Sequence, residues 1–328
     1  MTESVTESVT ESVKESVKES VKESVKESVK ESVIENLKVL IIGLGLIGGS
    51  IARGLAAKLP DARVLAVGRN EKVLQQALDD GMISDYSTDI GQACKDADLI
   101  VIAVPSLTVK HILKELQPVL GSNTVVTDAA SVKGEVIDSV TQVFGSVPDN
   151  FVPGHPIAGS EHSGYCASSS DLFEHKKVIL TPLENTRKSS YELVEKLWEL
   201  LGAEVISMSV KHHDEVLAAT SHLPHLLAFA LVDTLSQQGE SEEIFRYAAG
   251  GFRDFTRIAS SDPQMWHDIF MANGDATITV LDEYIEGLYR MRTAIKDQNS
   301  DELMSTFIRA KKSRDRFLEM FSSKRSKT

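Results

Sequence analysis

The sequence predicts an α/β chain in which a doubly wound parallel sheet is followed by an all-helical C-terminal domain. Three observations carry that expectation. A short aliphatic run at residues 37–42 ends in glycines and gives way to a helical series. From there to Ser207, short apolar runs alternate with amphipathic segments, the βαβα order of a parallel sheet. Beyond Val210 the periodicity is helical only. The implied organisation is a low-complexity tail over 1–36, a dinucleotide-binding domain of the Rossmann type over 37–209, and a helical domain over 210–328.

The glycine turn is the most specific element. Residues 37–42 form a buried strand, and Ile47, Ile51, Leu55 and Leu59 follow at helical spacing. Between them Gly43, Gly45 and Gly48 make up G-x-G-x-x-G. The first glycine permits the tight turn, the second lets the backbone approach a pyrophosphate, and the third lets the helix pack close to the strand. Leu46 and Ile47 lie in the same turn, where free N–H groups and the positive end of the helix dipole would hold the phosphates.

The remaining elements follow in order. Residues 63–68 read as a second strand and 71–80 as a helix stopped by Gly81. The stretch 98–105, apolar without a break from Leu99 to Val104, has the character of a central parallel strand buried on both faces. Ser106 then caps a helix carrying Val109, Ile112, Leu113 and Leu116. A strand at 124–128 and a helix at 133–144 come next, then short strands at 151–154, 178–181 and 204–207, with a helix at 191–201 before the last. The C-terminal part reads as long helices at 213–236, with a kink available at Pro224, at 270–296 and at 301–320. Their apolar faces exceed what a small domain hides alone, which predicts a homodimer formed through the helical domain.

Composition narrows the function classes. A chain of 328 residues with 42% hydrophobic content can bury cores for two domains. The net charge of −13 argues against a nucleic-acid partner. It leaves room for an anionic small substrate, because a few arginines decide that locally. Cys94 and Cys166 make neither a disulfide framework nor a metal-ligand spacing, so no metal is expected and a cytoplasmic location is. No apolar run approaches membrane-spanning length and the N-terminus lacks an apolar signal segment, so no membrane association is expected. Residues 2–33 repeat Thr-Glu-Ser-Val and then Lys-Glu-Ser-Val. Each four-residue step overshoots a helical turn by about 40°, so the valines from Val5 to Val33 wander around the helix and the segment reads as a solvated appendage.

The cofactor depends on the end of the second strand. NAD-binding members of this architecture place an acid there to bind the ribose 2′-hydroxyl. Here the strand ends in Gly68-Arg69, and Asp61, close to the expected spacing, lies before the strand and so at its wrong end. An arginine can bind a 2′-phosphate bidentately where a carboxylate would repel it. The electrostatics of Arg69 therefore favour NADP, and NAD is the alternative if Arg69 only stacks on adenine.

Four polar clusters sit in loops or at helix ends: Asp128-Ala129-Ala130-Ser131-Val132-Lys133, Gly154-His155-Pro156-Ile157-Ala158-Gly159-Ser160-Glu161, Ser221-His222-Leu223-Pro224-His225, and Gly251-Phe252-Arg253-Asp254-Phe255-Thr256-Arg257. The first two follow strands and should face the cofactor crevice. On residue type alone His155 is equally a loop histidine bonded to backbone, Ser131 equally the N-cap of the helix at Lys133, and Lys133 as readily a solvated helix lysine as a phosphate or substrate contact. His212-His213-Asp214 reads as an exposed helix start, Trp266 as a core residue, and His222 with His225 lacks a third metal ligand.

Together with Gly43-Leu44-Gly45-Leu46-Ile47-Gly48-Gly49-Ser50, these clusters occur in the order found in the prephenate/arogenate dehydrogenase family of tyrosine biosynthesis, which the sequence resembles from about Leu37 to the C-terminus. The resemblance implies NAD(P)-dependent oxidative decarboxylation of prephenate to 4-hydroxyphenylpyruvate. In this reading His155 is the base that takes the substrate hydroxyl proton, and Ser131 sits near the reacting hydroxyl and the nicotinamide. Arg257 binds a substrate carboxylate, His222 lies at the substrate pocket, and Glu161 supports the network. Arogenate, which carries an ammonium where prephenate has a keto group, is the alternative substrate. No acid to receive that ammonium stands out, and the residues leave the choice open: the Arg69 pattern resembles the NADP-using arogenate members and the second-domain motifs resemble prephenate members just as well, with prephenate taken as the first reading. Two other readings, a different dehydrogenase with a helical second domain and a non-catalytic NADP sensor, fit poorly with His155, Ser131 and Arg257 occurring together.

Overall fold

The computed structural model describes residues 37–160, 162–238 and 241–325. The strands β1 (Lys38–Ile42), β2 (Arg63–Val67), β3 (Asp85–Ser87), β4 (Leu99–Ile102), β5 (Val125–Asp128) and β6 (Phe151–Val152) form one parallel sheet. Their order is β3-β2-β1-β4-β5-β6. The order reverses between β1 and β4, so the crevice above their carboxyl ends is the switch point at which open α/β sheets take ligands.

Helices α1 (Leu46–Lys58), α2 (Glu71–Asp79), α3 (Ile90–Ala93), α4 (Val109–Leu116), α5 (Lys133–Phe144) and α6 (Lys188–Leu200) cover the two faces. Val39, Ile41, Leu99 and Val101 point into one core with Ile51, Leu55, Leu74 and Trp198. Leu40, Ile42, Ile100 and Ile102 point into the other with Val109, Leu113, Leu116 and Val136. Burial on both faces is why these strands read as continuous apolar runs rather than as alternation.

The sheet departs from the expected pattern in two places. Strand β3 is polar and short, so it carried no hydrophobic signal. The expected strand at 151–154 is cut at Pro153, which has no N–H to donate to a ladder. Beyond it β7 (Gly154–Ile157) joins β8 (Lys177–Leu180) and β9 (Glu204–Ser207) in a separate sheet of order β7-β8-β9, with β7 antiparallel to β8. The βαβα alternation thus extends to β6, and His155 belongs to a second sheet seated beside the end of β5.

The helical region begins with α7 (Val210–Leu217), a wide π-helical turn over Ala218–His222, and α8 (Leu223–Ser236). The wide turn comes just before Pro224, which has no N–H to continue the helical ladder and so goes with a local widening of the helix. Then follow α9 (Ser241–Arg246), α10 (Gly250–Thr256), a 3-10 turn over Arg257–Ser260, α11 (Pro263–Ala272), α12 (Gly274–Lys296) and α13 (Ser300–Arg325). The helix expected at 270–296 is broken at Asn273, a residue with φ −120° and ψ 39°.

The run Val210–Ser236 corrects one expectation, because its length and hydropathy are those of a helix able to cross a membrane. It also carries the buried polar residues His213 and His222 and packs on α5 and α12, while 28% of its apolar stretch is buried on the single chain. Apolar side chains of α12 and α13, among them Ile278, Leu288, Tyr289, Phe307 and Ile308, are exposed on the single chain. The expected tail over 1–36 lies outside the described residues.

Candidate active site

The glycine turn has the shape a dinucleotide needs. Gly43 has φ +99°, and a Cβ on it would lie 2.7 Å from the Ala103 carbonyl oxygen at the end of β4. A Cβ on Gly48 would lie 2.0 Å from the Gly43 carbonyl oxygen, so only glycine lets α1 start this close to β1. A Cβ on Gly45 would meet nothing within 4 Å, which is the open side from which a pyrophosphate can approach. Gly45 is the N-cap of α1, no side chain caps it, and the first turn carries no acid. Leu46 and Ile47 therefore begin a helix whose N-terminal donors and dipole face an anion site. These features fit a nicotinamide dinucleotide. The Gly43 N–H donates to the Val67 carbonyl at 2.8 Å, which sets the turn beside Gly68 and Arg69 at the carboxyl end of β2. Arg69 is exposed there, while Asp61 precedes β2 at its other end.

The second half of the site is built from β5, α5, β7 and α7. Asp128 ends β5, and its Oδ1 accepts from the Gly154 N–H at 3.2 Å. Its other oxygen pairs with the Lys133 ammonium, which also donates to the Gly154 carbonyl at 2.6 Å. Lys133 and Asp128 are both fully buried, so the lysine is neither solvated nor a phosphate ligand. The pair clamps the residue before His155 against the sheet. His155 Nδ1 lies 2.9 Å from His213 Nε2, and His213 Nδ1 lies 2.7 Å from Asp214 Oδ1. Asp214 also accepts from the backbone N–H groups of Lys133 at 2.9 Å and Gly134 at 2.7 Å. It therefore caps α5, the role open to Ser131 in the sequence. Ser131 is half-buried one residue before the N-cap, Val132.

His222 is buried at the end of the π turn. Its Nδ1 is 3.1 Å from Asn273 Nδ2, which also donates to the Asp214 carbonyl at 2.9 Å. The His225 ring stacks on Trp266 at 3.7 Å between centroids, and the His222 ring meets Trp266 edge-on. Trp266 is buried, as expected of a core residue, but its core is the wall of this histidine cluster. Arg257 is exposed at the end of α10; burial lowers His225, and the charge of Arg257 adds to it. Glu161 lies outside the described residues.

The electrostatics keep the imidazoles of the cluster uncharged. Burial pushes His155 well below its usual value, and charge on His213, Lys133 and His222 would push it the same way. Burial likewise lowers His213, against the pull of Asp214. His222 is pushed down to about 4, mainly by burial. Burial pushes Asp214 up, but hydrogen bonds from His213, Lys133 and Gly134 outweigh it and hold the carboxyl below its usual range. The outcome is an ionised carboxylate beside neutral imidazoles. Neutral histidines have one donor and one acceptor nitrogen each, so their partners decide which is which. Among the described residues no group of three or more His, Cys, Asp and Glu is arranged to hold a metal ion.

The structure brings together His155 and His222, with Ser131 at the start of the same α5 turn. Sequence reasoning missed Lys133, His213, Asp214 and Asn273 as members of the cluster. Of the three residues read as an exposed helix start, only His212 is exposed; His213 is fully buried and Asp214 half-buried. The signal for Asn273 was available, since Asn-Gly is a helix-breaking dipeptide.

Comparison with known proteins agrees with both halves. Residues 51–207 match the family described as prephenate dehydrogenase, nucleotide-binding domain. Residues 209–309 match prephenate dehydrogenase, dimerization domain. The chain is 38% identical over 279 residues to a cyclohexadienyl dehydrogenase of Zymomonas mobilis, covering 84% of this chain and 94% of that protein. It is 37% identical over 282 residues to a prephenate dehydrogenase of Bacillus subtilis, covering 84% of this chain and 75% of that one. The crystal structure of Aquifex aeolicus prephenate dehydrogenase in complex with hydroxyphenyl propionate and NAD+ superimposes with a TM-score of 0.79 at 37% identity, covering 85% of this chain and 97% of that one.

Proposed function

The chain belongs to the prephenate dehydrogenase family and is an oxidoreductase of that family, and from that premise we propose how its residues divide the work. The reaction is the oxidative decarboxylation of prephenate to 4-hydroxyphenylpyruvate. The bound nicotinamide supplies the hydride acceptor. Loss of hydride from the ring carbon bearing the hydroxyl, and of the ring carboxylate as CO2, leaves an aromatic ring. Aromatisation makes the reaction strongly downhill, so the protein chiefly orients its parts.

His155 is the base. Its Nδ1 is committed to His213, which leaves Nε2 to accept the substrate hydroxyl proton and return it to the phenol oxygen. That buried, uncharged imidazole beside the β5 end is the observation that carries the reading. Arg257 offers a fork of donors to a substrate carboxylate. His222 donates to the substrate from the helical side, and Ser131 contacts the reacting hydroxyl from the turn before α5. Glu161 is a further substrate contact. Gly43, Gly45, Leu46, Ile47 and Gly48 hold the pyrophosphate. The nucleotide is held within 37–209, the substrate between residues of 37–209 and 210–328, and the dimer contacts lie in 210–328.

Prephenate is favoured because Asp128 and Asp214, the carboxylates bonded into the cluster, are already held by Lys133, His213 and helix N–H groups. Neither is available to an ammonium. Arogenate is the second reading, favoured by the Zymomonas mobilis relative named cyclohexadienyl dehydrogenase. Arg69 favours NADP, against the NAD+ bound by the Aquifex aeolicus relative. The exposed apolar faces of α12 and α13 support a homodimer, and the free thiols of Cys94 and Cys166 support a cytoplasmic enzyme. The test follows NAD(P)H absorbance with prephenate and arogenate against NAD and NADP. Prephenate with NADP is expected to give the highest kcat/KM. No turnover in any of the four combinations would overturn the activity, and a strong preference for NAD would overturn the role of Arg69.

A further inference from the structure

We propose that Asp214 is a positioning residue that sets opposite tautomers on the two histidines facing the substrate, making His155 Nε2 an acceptor and His222 Nε2 a donor. The inference rests on the reading of His155 as the base and goes on to say what makes it one.

The assignment follows bond by bond. An ionised carboxylate only accepts, so Asp214 Oδ1, 2.7 Å from His213 Nδ1, requires the proton there. The neutral His213 then has its lone pair on Nε2. That lone pair, 2.9 Å from His155 Nδ1, requires the His155 proton on Nδ1. His155 Nε2 is left unprotonated. The burial that keeps His213 and His155 neutral is what makes the chain of inference one-directional.

The other branch starts from the main chain of the same residue. The Asp214 carbonyl only accepts, so the Asn273 atom 2.9 Å from it is the amide nitrogen. Its second hydrogen is then available to His222 Nδ1 at 3.1 Å, which makes Nδ1 the acceptor and puts the His222 proton on Nε2. One residue thus holds a base through its side chain and a donor through its carbonyl. Its carboxylate is fixed in turn by the N–H groups of Lys133 and Gly134. A Cβ on Gly134 would lie 2.8 Å from Asp214 Oδ2, so the residue there has to be small.

Asp214→Ala separates the branches. Without the carboxylate nothing holds the His213 proton on Nδ1, so His213 and then His155 are free to take either tautomer, while the carbonyl branch is untouched. Asp214→Asn is the conservative control, because an amide oxygen at the Oδ1 position still accepts from both His213 Nδ1 and the Lys133 N–H. The measurement is 15N NMR of the histidine rings in the full chain, with kcat and KM for prephenate alongside. In wild type, His155 Nε2 is expected to resonate as an unprotonated nitrogen and His222 Nε2 as a protonated one. In Asp214→Ala only His155 is expected to lose its fixed tautomer, and kcat is expected to fall roughly 10²- to 10⁴-fold, the scale of wrong-tautomer substitutions in buried His–Asp pairs, with little change in KM, while Asp214→Asn is expected to keep more activity. Asn273→Ala is expected to raise KM severalfold with kcat nearly kept. His213→Gln, whose amide oxygen can stand in for Nε2, is expected to keep more activity than His213→Leu. A protonated His155 Nε2 in the wild-type spectrum would overturn the proposal, as would an Asp214→Ala enzyme within threefold of wild-type kcat. The ring spectra need no substrate, so they stand even if prephenate proves not to be turned over, which would instead overturn the activity.

Discussion

The two ends of the crevice are made differently. At the nucleotide end the functional atoms are backbone, and three glycines within a few residues of one strand produce the geometry. At the histidine end they are side chains brought together from β5, α5, β7, α7 and α11, each oriented by another. The first site is a local property of sequence. The second exists only once the helical region has docked on the sheet. The lesson is that binding and chemistry fail in different ways: the first by a clash within one turn, the second by loss of a partner far along the chain.

Gly48→Val tests the local end and carries the largest expected effect. Its Cβ would fall 2.0 Å from the Gly43 carbonyl, so α1 has to move off β1. Titration of the intrinsic fluorescence with NADP should find binding weakened by at least about 100-fold, the scale of a few kcal/mol of overpacking. Retained affinity would mean that the phosphates are held elsewhere.

Arg257→Ala tests whether substrate binding is shared across the two regions. Loss of a charge-assisted fork costs about 1.5–3 kcal/mol, so KM for prephenate should rise roughly ten- to a hundredfold with kcat little changed. An unchanged KM would remove Arg257 from the pocket.

Acid should strike the histidine end first. His222 titrates at about 4 when folded, against about 6.5 in the unfolded chain. Between those values the unfolded chain binds more protons, so stability falls as pH drops from 6.5 and the loss is complete below about 4. For His222, only 1% exposed, the loss amounts to roughly 3 kcal/mol. His155 and His213 are also lowered and act in the same direction. Thermal melts from pH 7.5 to 4.5 should show Tm falling steeply, and His222→Gln should flatten the curve. A Tm unchanged over that range would contradict the buried neutral cluster.

Arg69→Ser carries the smallest effect. It should shift the ratio of kcat/KM for NADP over NAD by about tenfold towards NAD, one lost phosphate contact in partly solvated surroundings. An unchanged ratio would show that Arg69 does not read the ribose.

How much could be read in the sequence follows the same division. Strands β1 and β4, the glycine turn and α1 were legible because their pattern is local: apolar runs, glycines at fixed offsets, a helical series. His155 and His222 were legible only through motif order, and Ser131 was ambiguous between two roles until Asp214 proved to cap α5. The partition at Pro153 was misread because a short apolar strand does not reveal which sheet it joins. Lys133 looked solvated because a helix-start lysine usually is; its burial depends on Asp128 and the Gly154 carbonyl. His213 and Asn273 gain their meaning from partners 58 and 51 residues away. Single-chain periodicity carries no information about such pairings.

The central claim, that the glycine turn holds the oxidant while the histidine cluster performs the chemistry, is tested most directly on His155→Asn. The measurement is single-turnover oxidation of prephenate at saturating NADP, paired with the dissociation constants of both ligands. The account predicts wild-type affinities and a turnover rate lower by roughly 10²- to 10⁴-fold, the range for loss of a general base. A variant that oxidises prephenate at the wild-type rate would contradict it.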